Sequence, residues 1–295
     1  MADYREAFTA ADYRGFEPNA EILRYLEEAR ARLGLTRGEM NVLDYGAGRG
    51  SFVLRLREAG YNAYGADVDL KPAGVARPHL AALGLDVDDV VRVIDANGRT
   101  GFPDGYFHFV FTHYVLEHVA ALDPVTREIA RVTAPGGEGF HVYPGQYRPI
   151  EAHLYMPLVH WLPKNGVRRA LIGACVRAGI EPHWPWLDDA APVARADAYH
   201  QYTVDRTFYR SYDVVRGAFV RDGLAVEPVV LSHPKLATVD ALPGPLRHAS
   251  EAAVLTFKTV QIVTRKPTAP VVQTMNGAGA PPAKADARRS AFAAE

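Results

Sequence analysis

With one cysteine in 295 residues, Cys175 has no partner, so an internal disulfide framework is excluded. No Cys/His group shows zinc-ligand spacing either, and the sequence gives no expectation of a metal. No run approaches the roughly 20 consecutive apolar residues that a membrane-spanning helix needs. Neither sign of charge prevails: 33 Lys and Arg stand against 34 Asp and Glu, for a formal net charge of -1. Without a concentrated basic stripe, nucleic acid is not expected as the main partner, although a nucleotide-sized ligand stays open. The opening Met1-Ala2-Asp3-Tyr4-Arg5-Glu6 carries acidic charge and no apolar segment, which reads as a cytoplasmic chain without a secretory signal. No internal repeat is present. Apolar residues are plentiful: 48% of the chain is enough for one large domain with an elaboration, or for two small ones.

The densest information lies in Val42-Leu43-Asp44-Tyr45-Gly46-Ala47-Gly48-Arg49-Gly50. The apolar run reads as a buried parallel strand, and Ser51 to Ala59 reads as a helix. A glycine turn between them lets a ligand approach backbone that a Cβ would shield. Ser51 stands where the last glycine of a dinucleotide fingerprint would fall, and no P-loop Lys-Ser/Thr pair follows. Asp44 would repel a pyrophosphate, so a ligand with a positive amino-acid end suits the turn better. Tyr61 to Asp67 reads as a second strand ending in an acid, placed where a carboxylate takes both hydroxyls of a ribose. Val90 to Asp95 reads as a third strand, Phe107 to Thr112 as a fourth and Gly139 to Tyr143 as a fifth. Asp123-Pro124 reads as the cap of a helix with Val125, Ile129 and Val132 on one face, ended by Ala134-Pro135-Gly136-Gly137.

This Asp-x-Gly-x-Gly turn resembles motif I of the class I S-adenosylmethionine-dependent methyltransferases. Phe102-Pro103-Asp104-Gly105-Tyr106-Phe107 and Glu128-Ile129-Ala130-Arg131-Val132-Thr133-Ala134-Pro135-Gly136-Gly137 resemble further motifs of the large group that includes quinone-biosynthesis enzymes, with His108 and Thr133 as departures. The resemblance is strong over roughly residues 40 to 145. It implies an α/β fold with a doubly wound, seven-stranded, mostly parallel sheet, whose last strand enters antiparallel between the fifth and sixth. It implies S-adenosyl-L-methionine as cofactor, held by Asp44, Tyr45, Gly46, Ala47 and Gly48, by Asp67 and Val68, and by Asp95 and Ala96 near the adenine.

Around that core, residues 1–39 read as a helical flank. Its helix is capped by Pro18-Asn19, carries Ile22, Leu26, Ala29 and Leu33 on one stripe and closes at Gly34. Tyr4, Phe8 and Tyr13 ahead of it are either a lid or core filler. Residues 40–145 form the cofactor-binding core and 146–202 an insertion over the substrate site. Residues 203–265 hold the rest of the sheet, including a helix from Thr207 to Asp222 and strands at Leu224–Leu231 and Val254–Val263. The tail 266–295, rich in Ala, Pro and Gly, reads as disordered. In the insertion a helix runs from the Asn165 cap to Gly179. All three tryptophans fall here, with His153, Tyr155, His160, His183, Tyr199, His200 and Tyr202. Leu154, Tyr155, Met156, Leu158, Val159, Trp161 and Leu162 precede Lys164, Arg168 and Arg169. That order suits contact with a membrane surface or a lipid-linked substrate, and equally a lid packed over the site.

Methyl transfer asks for an in-line arrangement, with a general base when the acceptor is a hydroxyl. The mouth of such a site lies at the carboxyl ends of the strands, which offers His113 and His118 after the fourth strand and Tyr143, beside His141, on the fifth. His118 is the first choice. Some quinone-pathway relatives use Glu-x-x-Glu-His here to bind a divalent ion. Glu117 and His118 match the end of that pattern, whereas Tyr114 replaces its first Glu, so no metal is expected. The stretch Thr112-His113-Tyr114-Val115 lacks the Asn/Asp-Pro-Pro-aromatic signature of amine methylation, which favours a hydroxyl oxygen. The expected acceptor is a small molecule, a glycan or a lipid-linked compound. C- or N-methylation, a non-catalytic binding module and a nicotinamide oxidoreductase are the alternatives.

Overall fold

The computed structural model describes residues 16–69, 77–82, 84–229 and 244–268. The aromatic residues Tyr4, Phe8 and Tyr13 and nearly all of the 266–295 tail lie outside those residues.

The frame follows from buried apolar runs. Helix α1 (Ala20–Leu33) starts where the Asn19 side chain accepts from the backbone N–H of Glu21 and Ile22, and ends at Gly34 with φ 68°. Strand β1 (Asn41–Tyr45) feeds α2 (Ser51–Glu58), which leads to β2 (Asn62–Asp67) and β3 (Val91–Val93). Strand β4 (Phe107–His113), helix α3 (Leu122–Val132) and strand β5 (Thr133–Pro144) follow. After the insertion come α6 (Tyr212–Arg221), β6 (Ala225–Pro228), α7 (Gly244–Phe257) and β7 (Thr259–Arg265), with α4 (Gly166–Arg177) and α5 (Pro192–Asp205) inside the insertion. The sheet order is β3-β2-β1-β4-β5-β7-β6, with β7 antiparallel to both β5 and β6. This is the doubly wound, seven-stranded order that the resemblance implies.

Alternation along the strands splits the core into two layers. Val42, Phe109, Phe111, Phe140 and Val142 pack with α1 and α2 on one face. Leu43, Val110, Tyr143 and Ile262 pack with α3 and α6 on the other. Both faces are covered, which is why the strands read as continuous apolar runs rather than alternating ones.

Several boundaries differ from the sequence reading. Asp123 and Pro124 sit in the first turn of α3, whose cap position is Ala121. Thr133 to Gly137 does not merely end that helix; it already belongs to β5. The helix expected from Thr207 starts only after Ser211, whose hydroxyl accepts from Val214 N–H. Val254–Phe257 completes helix α7 instead of opening the last strand, because Ala249, Ala252 and Ala253 carry helix propensity into it. The insertion holds a second helix, α5, and has an apolar core of its own around Leu154, Met156, Val159, Ile172, Cys175 and Tyr199. Leu154, Met156 and Val159 are therefore buried, while Tyr155, Leu158 and Trp161 remain exposed. Arg168 is buried and donates to the Leu162 carbonyl, and Arg169 pairs with Asp197. Among the described residues no helix is long and apolar enough to cross a membrane.

Candidate active site

The carboxyl ends of β1, β2 and β3 lie side by side, since Tyr45 pairs with Ala66 and Asp67 with Val93. The glycine loop closes onto this edge. Gly46 and Ala47 both donate their N–H to the Ala66 carbonyl, at 2.7 and 3.0 Å. Gly48 N–H donates to the Asp67 carboxylate at 2.7 Å, and Asp69 N–H reaches the same carboxylate at 3.2 Å. Asp95 accepts from Asn97 and Arg99 N–H, forming a turn just past β3, and Ala96 is exposed beside it. Val68 is exposed, whereas Tyr45 and Ala47 are buried. The residues expected to hold a cofactor thus come together on one edge.

Asp44 is buried there, and burial, reinforced by the Asp67 carboxylate, pushes its carboxyl up to about 8. A carboxyl held above its unfolded value of 3.8 resists ionisation in the fold and ionises freely in the unfolded chain. Its penalty is absent at pH below about 4 and grows as pH rises toward 8. Asp44→Asn is therefore expected to stabilise the ligand-free protein by about 4 kcal/mol at pH 7 and hardly at all at pH 4. Urea unfolding at the two pH values measures this, and equal midpoints for variant and wild type at pH 7 would contradict it.

The other half of the site begins at Tyr114, which leaves β4 in the left-handed region at φ 57° while its N–H bonds the Val142 carbonyl. Such a conformation costs a tyrosine about 1–2 kcal/mol and is tolerated where the surroundings hold it. It turns the chain into a short helical segment, Leu116–His118. Arg210 clamps this turn, donating to the carbonyls of Leu116, Val119 and Ala120, and Phe208 N–H donates to the Glu117 carbonyl at 2.6 Å.

Glu117 is buried, both its carboxylate oxygens lack a hydrogen-bond partner among the described residues, and burial pushes its carboxyl up to about 7. His118 is exposed, and its Nδ1–H donates to the Arg206 carbonyl at 2.6 Å. The ring of His153, from the insertion, lies 4.8 Å from that of His118. Its Nδ1–H faces the Glu151 carboxylate at 3.2 Å and the Tyr209 hydroxyl oxygen at 3.0 Å, while Tyr209 in turn donates to Glu151. Burial alone would raise Glu151, but His153 and Tyr209 outweigh it and bring the carboxyl down to about 2.

Sequence reasoning named His118 and missed this assembly. It held His153, with His200, only as a fallback base of the insertion should His118 prove structural. The available signal was Glu151-x-His153, a carboxylate two residues before an imidazole. The remaining expected residues stand apart from the cluster. His113 is half-buried against Tyr114, and burial lowers its pKa. The Tyr143 hydroxyl is buried without a hydrogen-bond partner among the described residues, and burial raises its pKa, so the phenol keeps its proton. His141, between Thr112 and Thr264, is pushed down to about 3 by burial and is a neutral part of the core.

A glycine loop that joins a buried acidic strand end to a helix, on this strand order, defines a nucleotide-binding α/β domain. Residues 43–140 match the family model described as a methyltransferase domain. A ubiquinone biosynthesis O-methyltransferase from Dechloromonas aromatica (strain RCB) is 30% identical over 145 residues, 46% of this chain and 60% of that protein. Its namesake from Thiobacillus denitrificans (strain ATCC 25259 / T1) is 31% identical over 135 residues, 44% of this chain and 57% of that protein. The chain thus spans no more than 60% of the length of these curated relatives. A solved S-adenosylmethionine dependent methyltransferase from Mesorhizobium loti is 18% identical, covering 82% of this chain and 98% of that one at a TM-score of 0.46. Over residues 43–140 the chain is thus similar to the class I S-adenosylmethionine-dependent methyltransferases, whose cofactor is S-adenosylmethionine.

Proposed function

We propose that the protein transfers the methyl group of S-adenosylmethionine to a hydroxyl oxygen of a small or lipid-linked molecule. The observation that carries this reading is the pairing of two half-sites. An acidic, glycine-lined edge is suited to a cationic nucleoside, and a cluster of Glu117, His118 and His153 stands at the next strand end. In this reading the ammonium of the cofactor faces Asp44, the ribose hydroxyls bond Asp67, and Asp95 lies toward the adenine. The acceptor hydroxyl enters beside His118. The Nδ1–H of His118 is committed to Arg206, so Nε2 keeps a lone pair for the acceptor side. Alignment of oxygen, methyl carbon and sulfur then supplies the larger share of the rate, roughly 7–11 kcal/mol.

Two measurements test this. Asp67→Ala is expected to weaken S-adenosylmethionine by about 2–3 kcal/mol, because it removes a charged acceptor of both ribose hydroxyls. Unchanged affinity in calorimetry would remove Asp67 from the site. A panel of phenols, glycans and isoprenoid alcohols, incubated with the cofactor and read by mass, is expected to show one methyl gained on oxygen. Gain on nitrogen or carbon instead, or S-adenosylmethionine binding with no turnover on any panel, would overturn the oxygen assignment or the catalytic reading respectively.

A further inference from the structure

Away from the turn after β4, the insertion holds a cavity of about 420 Å³ between α5 and the loop that precedes it, a size that suits a small-molecule site. Trp184-Pro185-Trp186 shapes that loop. A residue ahead of proline is held extended, and Trp184 has φ -113° and ψ 105° before the short turn Pro185–Leu187. Its ring is wedged, stacked on Trp186 at 5.2 Å and edge to face with Tyr199 at 4.8 Å. Arg195 and Tyr199 stand about one helical turn apart on α5, so both line the same cavity. Tyr199 is buried and its hydroxyl is committed to the Pro182 carbonyl, which leaves its ring as wall. Charged groups line the cavity beside these rings. Arg195 holds Glu181 through two bonds of 2.9 Å and gives a third to the Ala190 carbonyl, which leaves N–H donors of its fork unused. His183 Nδ1 stands 3.3 Å from the Asp188 carboxylate.

This lining selects its ligand by exclusion. An anion would face two carboxylates, and an organic cation would face Arg195. A purely apolar chain would strip water from the ion pair and offer no partner in return. A neutral ring with an apolar face and several hydroxyls fits. Its carbon face packs on indole and phenol, while its hydroxyls meet carboxylate lone pairs and guanidinium N–H groups. We infer that the cavity binds a glycosyl unit, and that the acceptor of the proposed transfer is a glycoside held there by its sugar. The placement favours this, because Trp184 packs on Tyr202 at 5.2 Å and Tyr202 packs on His153 at 5.7 Å. Tyr202 thereby bridges the cavity wall to the acceptor side. The acceptor role rests on the methyl-transfer reading; sugar binding does not.

The test uses the full chain, without cofactor for binding and with it for turnover. Saturation-transfer NMR with a panel of methyl hexopyranosides is expected to show binding through ring C–H protons. Trp184→Ala and Asp188→Asn are each expected to weaken it by about 10-fold. Calorimetry with S-adenosylmethionine reports whether each variant is folded. The Asp188 side chain is half exposed, so Asp188→Asn keeps the test decisive if Trp184→Ala does not fold. An octyl glycoside of the same sugar separates the two sources of such a ligand. Tighter binding than the methyl glycoside identifies a lipid-linked form, and equal binding a free one. In turnover, the methylated acceptor is expected to carry a sugar, with KM raised in Asp188→Asn in step with the lost affinity. No glycoside bound, or affinity unchanged in both variants, would overturn the site. Methylation of an acceptor without sugar would overturn its acceptor role. Absence of methyl transfer on every acceptor would instead overturn the underlying reading, with sugar binding still decided by the NMR result.

Discussion

Gly46→Ala is expected to abolish S-adenosylmethionine binding and to destabilise the protein by about 3–5 kcal/mol, the sum of backbone strain and overpacking. Two independent effects act at this one atom. The backbone is at φ 88°, a conformation that costs any residue with a Cβ. The added carbon would also stand 2.3 and 2.8 Å from the two methyls of Val115, far inside contact distance. Relief requires either opening the bonds from Gly46 and Ala47 to the Ala66 carbonyl, which lifts the glycine loop, or moving Val115. Val115 sits one residue before the turn that carries Glu117 and His118, so the second escape displaces the acceptor side as well. Chemical denaturation and calorimetry measure the two losses. An alanine variant with wild-type stability and affinity would show that the loop yields freely at this point.

His118→Ala is expected to lower kcat by ~10²–10⁴-fold while S-adenosylmethionine affinity stays within about twofold. The separation follows from geometry. The cofactor edge is built from the ends of β1, β2 and β3, whereas His118 follows β4 and is tied through Arg206 to the segment that closes the insertion. Removing the ring deletes a lone pair from the acceptor side and leaves the glycine loop untouched. His118→Asn serves as control, since its amide retains a donor for the Arg206 carbonyl without replacing the imidazole lone pair. Recovery of the rate in that variant would assign His118 to holding Arg206 alone.

How much of this was legible in the sequence depended on whether the signal was local. Buried strands announce themselves by composition, and the glycine turn by its spacing, so the first five strands and α1 with its Asn19 and Gly34 ends could be read directly, whereas the strand order came from the resemblance and the closure of the glycine loop onto Asp67 from the structure. Helix α5 escaped because its polar and aromatic residues give no clear apolar stripe. The Val254–Phe257 error has the opposite cause, since β-branched and aromatic side chains suggest a strand while the alanines before them continue a helix. Spatial closure was not readable. Nothing in the order of residues says that Glu151 and Tyr209, at opposite ends of the insertion, meet on His153, or that Phe208 and Arg210 then pin the turn at Glu117.

Because that closure is made by residues 206–210, with an apolar core of the insertion's own behind it, the insertion behaves as an exchangeable cassette. On the proposed reading, substitutions in its interior would act on the acceptor side and leave the ends of β1, β2 and β3 in place. A chimera that transplants the segment is expected to keep Glu117, His118 and His153 in register only if Arg206, Phe208, Tyr209 and Arg210 travel with it, since they latch the insertion to the turn after β4.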